Sequence, residues 1–282
     1  MQIRTLIDTP LETLRQTFEL AFSDYELPLQ LTIEALRTMI ICRDLKLECS
    51  LGCFDEEILV GFLLCGIRED SGKKLLYNGS TGVIPSYRGR GIATDMLHAV
   101  LDWGHAHAIH SVQLEVLEHN RVAQHLYRQC GFFNRRLLRC FRTDRPIEMY
   151  ESVEPGINIR HLSLSTYQSL PHTQLVSYPP SWQNAVPSVC HGWADHEAVA
   201  CWIDEKLIGY GVVHAHQGAI AQIAAPDDRT YGVLMRALGR LTEIRQLRLV
   251  NVEDESDLCH YLICAGWENY LNQYEMYYDF DR

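Results

Sequence analysis

Apolar runs flank the polar Asp55-Glu56-Glu57, with Ile58-Leu59-Val60-Gly61-Phe62 as the return run, and this pattern predicts a β-hairpin with a charged turn. A second hairpin is predicted where Ala198–Ile203 and Leu207–Tyr210 flank Asp204-Glu205-Lys206. The period changes from 2 to 3.6 at Ala93, Met96, Leu97 and Val100, an i, i+3, i+4, i+7 stripe that predicts a helix with one buried face. The same stripe returns 141 residues later as Leu234, Ala237, Leu238 and Leu241. Strand-like Val112–Val116, helical Ala123–Cys130 and the stop Gly131-Phe132 return at an offset of 135 as Leu247–Asn251, Leu258–Ala265 and Gly266-Trp267. A glycine just past a helix suits a C-terminal cap.

Several elements recurring in one order imply two copies of one fold. Each copy reads strand, helix or helices, a run of strands, helix, strand, helix, strands. The expected class is therefore α+β, or mixed α/β, with each copy a mixed, mostly antiparallel sheet flanked by helices. Glu154-Pro155-Gly156 breaks structure, so the expected domains are residues 1–152 and 157–282.

The composition, 47% hydrophobic and 22% charged, is that of a globular protein. The longest apolar run, Ile58–Ile67, is too short to cross a bilayer, and the first residues carry no signal-peptide core. The ten cysteines form no paired framework, which predicts reduced thiols and a cytoplasmic protein. Charge is uneven: residues 1–150 hold 17 Lys and Arg against 19 Asp and Glu, and residues 151–282 hold 8 against 17. The acidic second half reads as a solubilising surface, or as an attraction for a cationic substrate or partner. No basic stripe with interleaved aromatics is present, so no nucleic-acid partner is expected. His98, His105, His107 and His110 lack a completing carboxylate or cysteine, so no metal is expected there.

Chemistry is concentrated after the strand Tyr77–Ile84, in Tyr87-Arg88-Gly89-Arg90-Gly91-Ile92-Ala93-Thr94 at the start of the first striped helix. A helix N-terminus presents unpaired N–H groups and the positive end of a dipole, and glycines let backbone approach a phosphate. Arg88 or Arg90 adds charge, and Thr94 adds a hydroxyl. The P-loop and dinucleotide-binding spacings are both absent. The turn by itself predicts an anion-binding helix start.

Arg88-x-x-Gly91-x-Ala93, following Val83-Ile84-Pro85, resembles motif A of the GCN5-related N-acetyltransferases. So does the longer segment Leu114-Glu115-Val116-x-x-x-Asn120-x-x-Ala123-x-x-Leu126-Tyr127-x-x-x-Gly131-Phe132. The resemblance runs through much of residues 1–150 and weakly through 157–282. It implies that acetyl-coenzyme A is the co-substrate, its pyrophosphate held by Arg88, Gly89, Arg90, Gly91, Ile92, Ala93 and Thr94. Its pantetheine arm would pair with main-chain groups of Thr81, Gly82 and Val83.

Asn120 stands where a helix N-cap belongs, and the resemblance adds a hydrogen bond to the cofactor. Tyr127 lies on the stripe Ala123-Leu126-Tyr127-Cys130, which by spacing is a core position. The resemblance instead makes it the acid that protonates the departing thiolate. Glu115 alternates against Leu114 and Val116 on its strand. In the ribosomal-protein N-terminal acetyltransferases a glutamate twelve residues before the tyrosine is the general base, so Glu115 or a water chain is expected in that role.

The implied function is acetyl transfer from acetyl-coenzyme A to an amine, by direct attack in a ternary complex. An acyl-coenzyme A sensor without turnover is the alternative, and a protein-interaction scaffold is a third reading. The acceptor is the amine of a small molecule or of a protein. Asp24, Tyr25 and Glu26 are candidates to line its site, and Tyr178-Pro179-Pro180-Ser181-Trp182 is a candidate aromatic wall. The expected assembly is a monomer or homodimer, with no membrane partner. In the second half, Glu115 maps to Val250, Asn120 to Glu255 and Tyr127 to Leu262, while Arg229 and Gly232 remain as remnants of the turn. The second copy is therefore expected to be degenerate.

Overall fold

A computed structural model of the chain describes residues 1–24, 31–144 and 156–281. The chain divides into two compact units, residues 1–135 with 275–282 and residues 136–274. Both are mixed α/β, with helices flanking a mostly antiparallel sheet.

The first unit begins with β1 (Gln2–Thr5), α1 (Leu11–Ala21), α2 (Ile33–Cys42), β2 (Leu51–Asp55), β3 (Ile58–Asp70) and β4 (Lys73–Val83). It continues with α3 (Ile92–Ala106), β5 (Ser111–Leu117) and α4 (Arg121–Gln129). The predicted β2–β3 hairpin forms with Glu56 in its turn at a φ of 53°. Strands β1 to β4 are antiparallel neighbours in chain order, and β5 joins β4 in parallel because α3 carries the chain back across the sheet.

Alternation along β3 aims its side chains at different helices. Phe62 stacks on Phe18 of α1 with ring centroids 5.1 Å apart, whereas a Cβ on Gly61 would meet Ile92 of α3 at 3.2 Å. Helices α1 and α3 thus cover opposite faces of the sheet. The predicted stripe of α3 is the face it buries: Met96, Leu97 and Val100 are each almost wholly enclosed. Burying a side chain such as Phe62 contributes about 2–3 kcal/mol.

Next come β6 (Phe133–Thr143), β7 (Asn158–His161), α5 (Leu164–Gln168), α6 (His172–Leu175), α7 (Val186–His191), β8 (His196–Ile203) and β9 (Lys206–His214). The chain ends with β10 (Ala219–Ala224), α8 (Asp228–Arg240), β11 (Leu247–Glu253), α9 (Asp257–Cys264) and β12 (Glu268–Asp279). In the second unit the strand order is β6-β11-β10-β9-β8-β7, with β10 and β11 parallel. The predicted β8–β9 hairpin turns through Asp204 and Glu205, at φ values of 45° and 62°. Gly131 and Gly266 follow α4 and α9 at φ values of 92° and 77°, the left-handed conformation of a C-terminal cap.

The described boundary is not a single cut in the chain. Strand β6 follows α4, yet from residue 136 it belongs to the second unit, where it pairs with β11. The first unit takes residues 275–282 instead. There the Phe280 N–H donates to the His110 carbonyl at 3.2 Å, and the Tyr277 hydroxyl donates to Gln113 Oε1 at 2.7 Å. The junction expected at 151–156 lies, apart from Gly156, outside the described residues.

Candidate active site

Strands β4 and β5 pair over Leu75–Asn78 and Ser111–Leu114 and then part, while β4 stays on β3 as far as Val83. A β-bulge marks the point of separation: Asn78 pairs with Cys65 and Ser80 with Leu64, leaving Gly79 as the extra residue. A Cβ on Gly79 would lie 2.7 Å from Leu45 Cδ2, so a side chain there has no room. Beyond the bulge, Thr81, Gly82 and Val83 on β4 border a gap whose other side is Glu115 and its successors on β5. Gly82 is a glycine for a further reason, since a Cβ there would strike the Phe62 ring at 2.7 Å.

Two side-chain pairs flank this gap. The Tyr77 hydroxyl donates to Glu115 Oε2 at 2.6 Å, a short bond to a carboxylate. Asn78 Nδ2 donates to the Tyr127 hydroxyl oxygen at 3.5 Å, and the Thr81 hydroxyl donates to Asn78 Oδ1 at 3.0 Å. Strand alternation puts Tyr77, Gln113 and Glu115 on one face, and Asn78, Leu114 and Val116 on the other. Glu115 and Tyr127 therefore approach the gap from opposite faces of the sheet. Tyr77, Asn78 and Tyr127 are buried and Glu115 is half-buried.

The turn before α3 keeps its backbone accessible. Gly89 and Gly91 have φ values of 75° and 81°, and a Cβ on Gly89 would meet nothing within 4 Å. Gly91 is the N-cap of α3, and no side chain caps that helix end. Ile92 is buried, while Ala93 and Thr94 are half-buried in the first turn. The arginines are held by their own surroundings. Arg88 donates from Nε to the Val83 carbonyl at 3.0 Å and from Nη2 to the Ala21 carbonyl at 2.7 Å, and forms an ion pair with both carboxylate oxygens of Asp24. Arg90 donates to the Ser86 carbonyl and lies over the Tyr87 ring.

Asp24 is thus engaged with Arg88, whose hydrogen bonds hold its carboxyl below the usual carboxylate range. Tyr25 and Glu26 lie outside the described residues. Asn120 caps α4, its Oδ1 accepting from the Ala123 N–H at 3.1 Å. The four histidines are dispersed: His98 faces Cys130, His105 lies near Phe280, His107 stacks on Trp103, and His110 meets Asp281. Among the described residues no group of three or more His, Cys, Asp or Glu is placed to hold a metal ion.

The corresponding region of the second unit is built differently. Helix α8 begins at Asp228, so Arg229 and Gly232, expected as remnants of the turn, lie inside the helix instead. The reason is Asp227, whose carboxylate caps the helix by accepting from the Thr230 N–H at 2.7 Å and so starts it early. Leu262 is fully buried in the unit's apolar core. The N-cap of α9 is Ser256, one residue beyond the expected Glu255.

Strands β10 and β11 also part after a short parallel pairing, with an irregularity next to Gln222. Here a cavity lined by Tyr178, Asn184, Gln222, Val250 and Asn251 remains, and hydrogen bonds from the loop before α7 cross its wall. Asn184 Nδ2 donates to the Val250 carbonyl at 3.0 Å, Gln222 Nε2 donates to the Asn184 carbonyl, and Asn251 Nδ2 donates to Ser181 Oγ at 3.0 Å. Of the expected aromatic wall, Ser181 and Trp182 are buried at 1% and 3% exposure, while Tyr178 and Pro180 are half-buried and line the cavity. The hydroxyls of Tyr167 and Tyr210 both donate to Gln222 Oε1, and His172 bridges Tyr210 to the Tyr167 carbonyl.

Sequence reasoning passed over Tyr77 and Asn78. The one local signal was Asn78-Gly79 within a strand, a pairing that marks bulges and close approaches.

Residues 10–132 match the family model described as "Acetyltransferase (GNAT) family". No curated protein matches the chain. Among solved structures, a GCN5-related N-acetyltransferase from Sphaerobacter thermophilus superposes with a TM-score of 0.73 at 13% identity, covering 99% of this chain and 95% of its own. A putative acetyltransferase from Pyrococcus horikoshii gives 0.68 at 15% identity, covering 99% and 89%. A tandem GNAT protein from the clavulanic acid biosynthesis pathway gives 0.69 at 13% identity, covering 99% and 98%. At these identities the likeness is one of fold. No helix among the described residues is long and apolar enough to cross a membrane.

Proposed function

We propose, from the match of residues 10–132 to the acetyltransferase (GNAT) family model, that the first unit transfers the acetyl group of acetyl-coenzyme A to an amine. One observation carries the proposal: Glu115 and Tyr127 flank, from opposite faces, the gap where β4 and β5 part.

The residues present suit the cofactor. Gly89 and Gly91 leave the start of α3 open to a pyrophosphate, which the helix dipole and first-turn N–H groups favour. Thr81, Gly82 and Val83 offer main-chain groups to the pantetheine arm, and Thr94 offers a hydroxyl. Arg88 acts through position, tying the end of α1 to the turn, and Arg90 lends charge beside it. Acetyl-coenzyme A supplies the acyl group as a thioester.

The chain's own groups manage two protons. An alkyl ammonium, with a pKa of about 10.4, must lose a proton before its nitrogen has a lone pair. Glu115, directly or through water, takes that proton, and Tyr77 holds the carboxylate in place. The new C–N bond forms as the C–S bond breaks. Tyr127 donates a hydrogen bond or its proton to the departing sulfur, whose conjugate acid has a pKa of about 8.5. The acceptor is an amine of a small molecule or of a protein, reached without metal. The second unit takes no part in the chemistry, because Asp227 occupies its helix start and Val250 and Leu262 stand where Glu115 and Tyr127 act.

The test is acetyl-coenzyme A consumption by the full chain across a panel of amines, with Tyr127→Phe beside the wild type. Turnover that falls about 100-fold in kcat in the variant is the expected result. Tight acetyl-coenzyme A binding with no turnover on any amine would instead identify an acyl-coenzyme A sensor.

A further inference from the structure

We infer that Asn78 is a positioning residue for Tyr127, fixed in that task by Thr81 and by the bulge at Gly79. The inference rests on the reading of Tyr127 as the acid, and three observations carry it. First, the Thr81 hydroxyl donates to Asn78 Oδ1 at 3.0 Å, which turns the amide so that its Nδ2 faces Tyr127. Second, Asn78 and Tyr127 are 4% and 8% exposed, so water competes weakly for this contact. Third, residues three apart on a regular strand point to opposite faces, and the extra residue Gly79 returns Thr81 to the face of Asn78. Without the bulge the hydroxyl could not reach the amide.

The consequence is directional. An amide N–H aimed at the phenol oxygen occupies one of its lone pairs, so the phenol hydrogen points away from Asn78. The same N–H stabilises the oxygen as negative charge develops there, which makes Tyr127 a stronger acid. Leucine at position 78 keeps the side-chain shape and removes both effects.

The decisive measurement is the ionisation of residue 127 itself. With 3,5-difluorotyrosine placed there in the full chain, the ring titrates near neutral pH and is followed by fluorine NMR. Other ionisable groups on the surrounding elements are Tyr77, Glu115, Cys130 and His98; all are common to both proteins and cancel in the difference. Asn78→Leu is expected to raise the midpoint by about one pH unit. Thr81→Val, which frees the amide to turn, is expected to raise it by less. Should Asn78→Leu fail to fold, Thr81→Val decides. A midpoint that stays put or falls in a folded variant overturns the inference.

Kinetics give the second arm. In the natural chain, Asn78→Leu is expected to lower kcat about tenfold with the KM for acetyl-coenzyme A within about twofold, and to cause no further loss in the Tyr127→Phe background. An undiminished loss in that background would mean that Asn78 acts elsewhere. If no amine is acetylated, the proposed function fails while the fluorine titration still decides the role of Asn78.

Discussion

Helices α3 and α8 occupy the same place in two copies of one fold, and they begin in opposite ways. Helix α3 starts at a left-handed glycine with no side-chain cap, so its first N–H groups face outward. Helix α8 starts at Asp227, whose carboxylate satisfies one of those groups and brings a negative charge to the position an anion would take. The parting strands repeat the contrast. The gap between β4 and β5 is flanked by Glu115 and Tyr127, whereas the one between β10 and β11 is crossed by hydrogen bonds of Asn184 and Ser181 beside a cavity that Tyr178, Gln222 and Val250 line. On the proposed function, an anion site at a helix start is closed by satisfying the helix itself. Capping is worth about 1 kcal/mol to the helix.

The harshest way to break this contrast is to remove residues 275–282. Met276 is fully buried, Tyr278 packs on Phe132, and Phe280 lies against Gly104. Their loss is expected to cost the first unit more than about 5 kcal/mol and to abolish its folding. Hydrogen exchange would then show α3 and β5 unprotected while β8 and β9 keep their protection. Retained protection in β5 would refute the assignment of the final strand to the first unit.

A milder change gives the first helix start the character of the second. Gly91→Asp puts a carboxylate at the N-cap of α3, in a backbone conformation that aspartate tolerates better than most residues. Calorimetric titration is expected to show about tenfold weaker binding of acetyl-coenzyme A. Unchanged affinity would mean that the pyrophosphate is held elsewhere.

Asn184→Ala sharpens the comparison from the other side. It removes the donor to the Val250 carbonyl and is expected to cost the second unit about 1–3 kcal/mol in thermal or urea unfolding. Because Asp227 still caps α8, no second equivalent of acetyl-coenzyme A should bind, and finding one would undo the contrast.

The smallest effect is that of acid. Burial holds His172, His196 and His214 below the ordinary histidine value, and all three belong to the second unit. Unfolding frees them to take up protons at about pH 6.5, so the stability they leave intact above that pH is lost as pH falls toward their folded values. The melting temperature of the second unit should therefore drop between pH 7 and pH 5.5, and His172→Gln should flatten the drop.

The elements were legible because their periodicity is strong. Met96, Leu97 and Val100 are buried as their spacing predicts, and Gly131 and Gly266 adopt the left-handed caps expected of them. Asn120 caps α4 where its type and position put it. Two things were not legible. The early start of α8 depends on one cap at Asp227, whereas the matching stripe Leu234–Leu241 reports only the helix interior. The partners of β6 and β12 are set by long-range pairing, which no local pattern specifies. At the site, Glu115 and Tyr127 were singled out by the family resemblance of their segment. The contacts of Tyr77 and Asn78 depend on how β4 and β5 meet in space, of which the local Asn78-Gly79 pair reports only the bulge.

The return of residues 275–282 to the first unit also has a consequence in time. Gln113 waits 164 residues for its partner Tyr277. A ribosome releases the first unit long before it releases the strand that completes it, so the half made first is the half finished last. Until then β5 presents an open edge, the kind of surface that recruits chaperones or stray strands during synthesis. A pairing so distant in sequence also predicts slow closure, and the appearance of activity should lag behind completion of the chain.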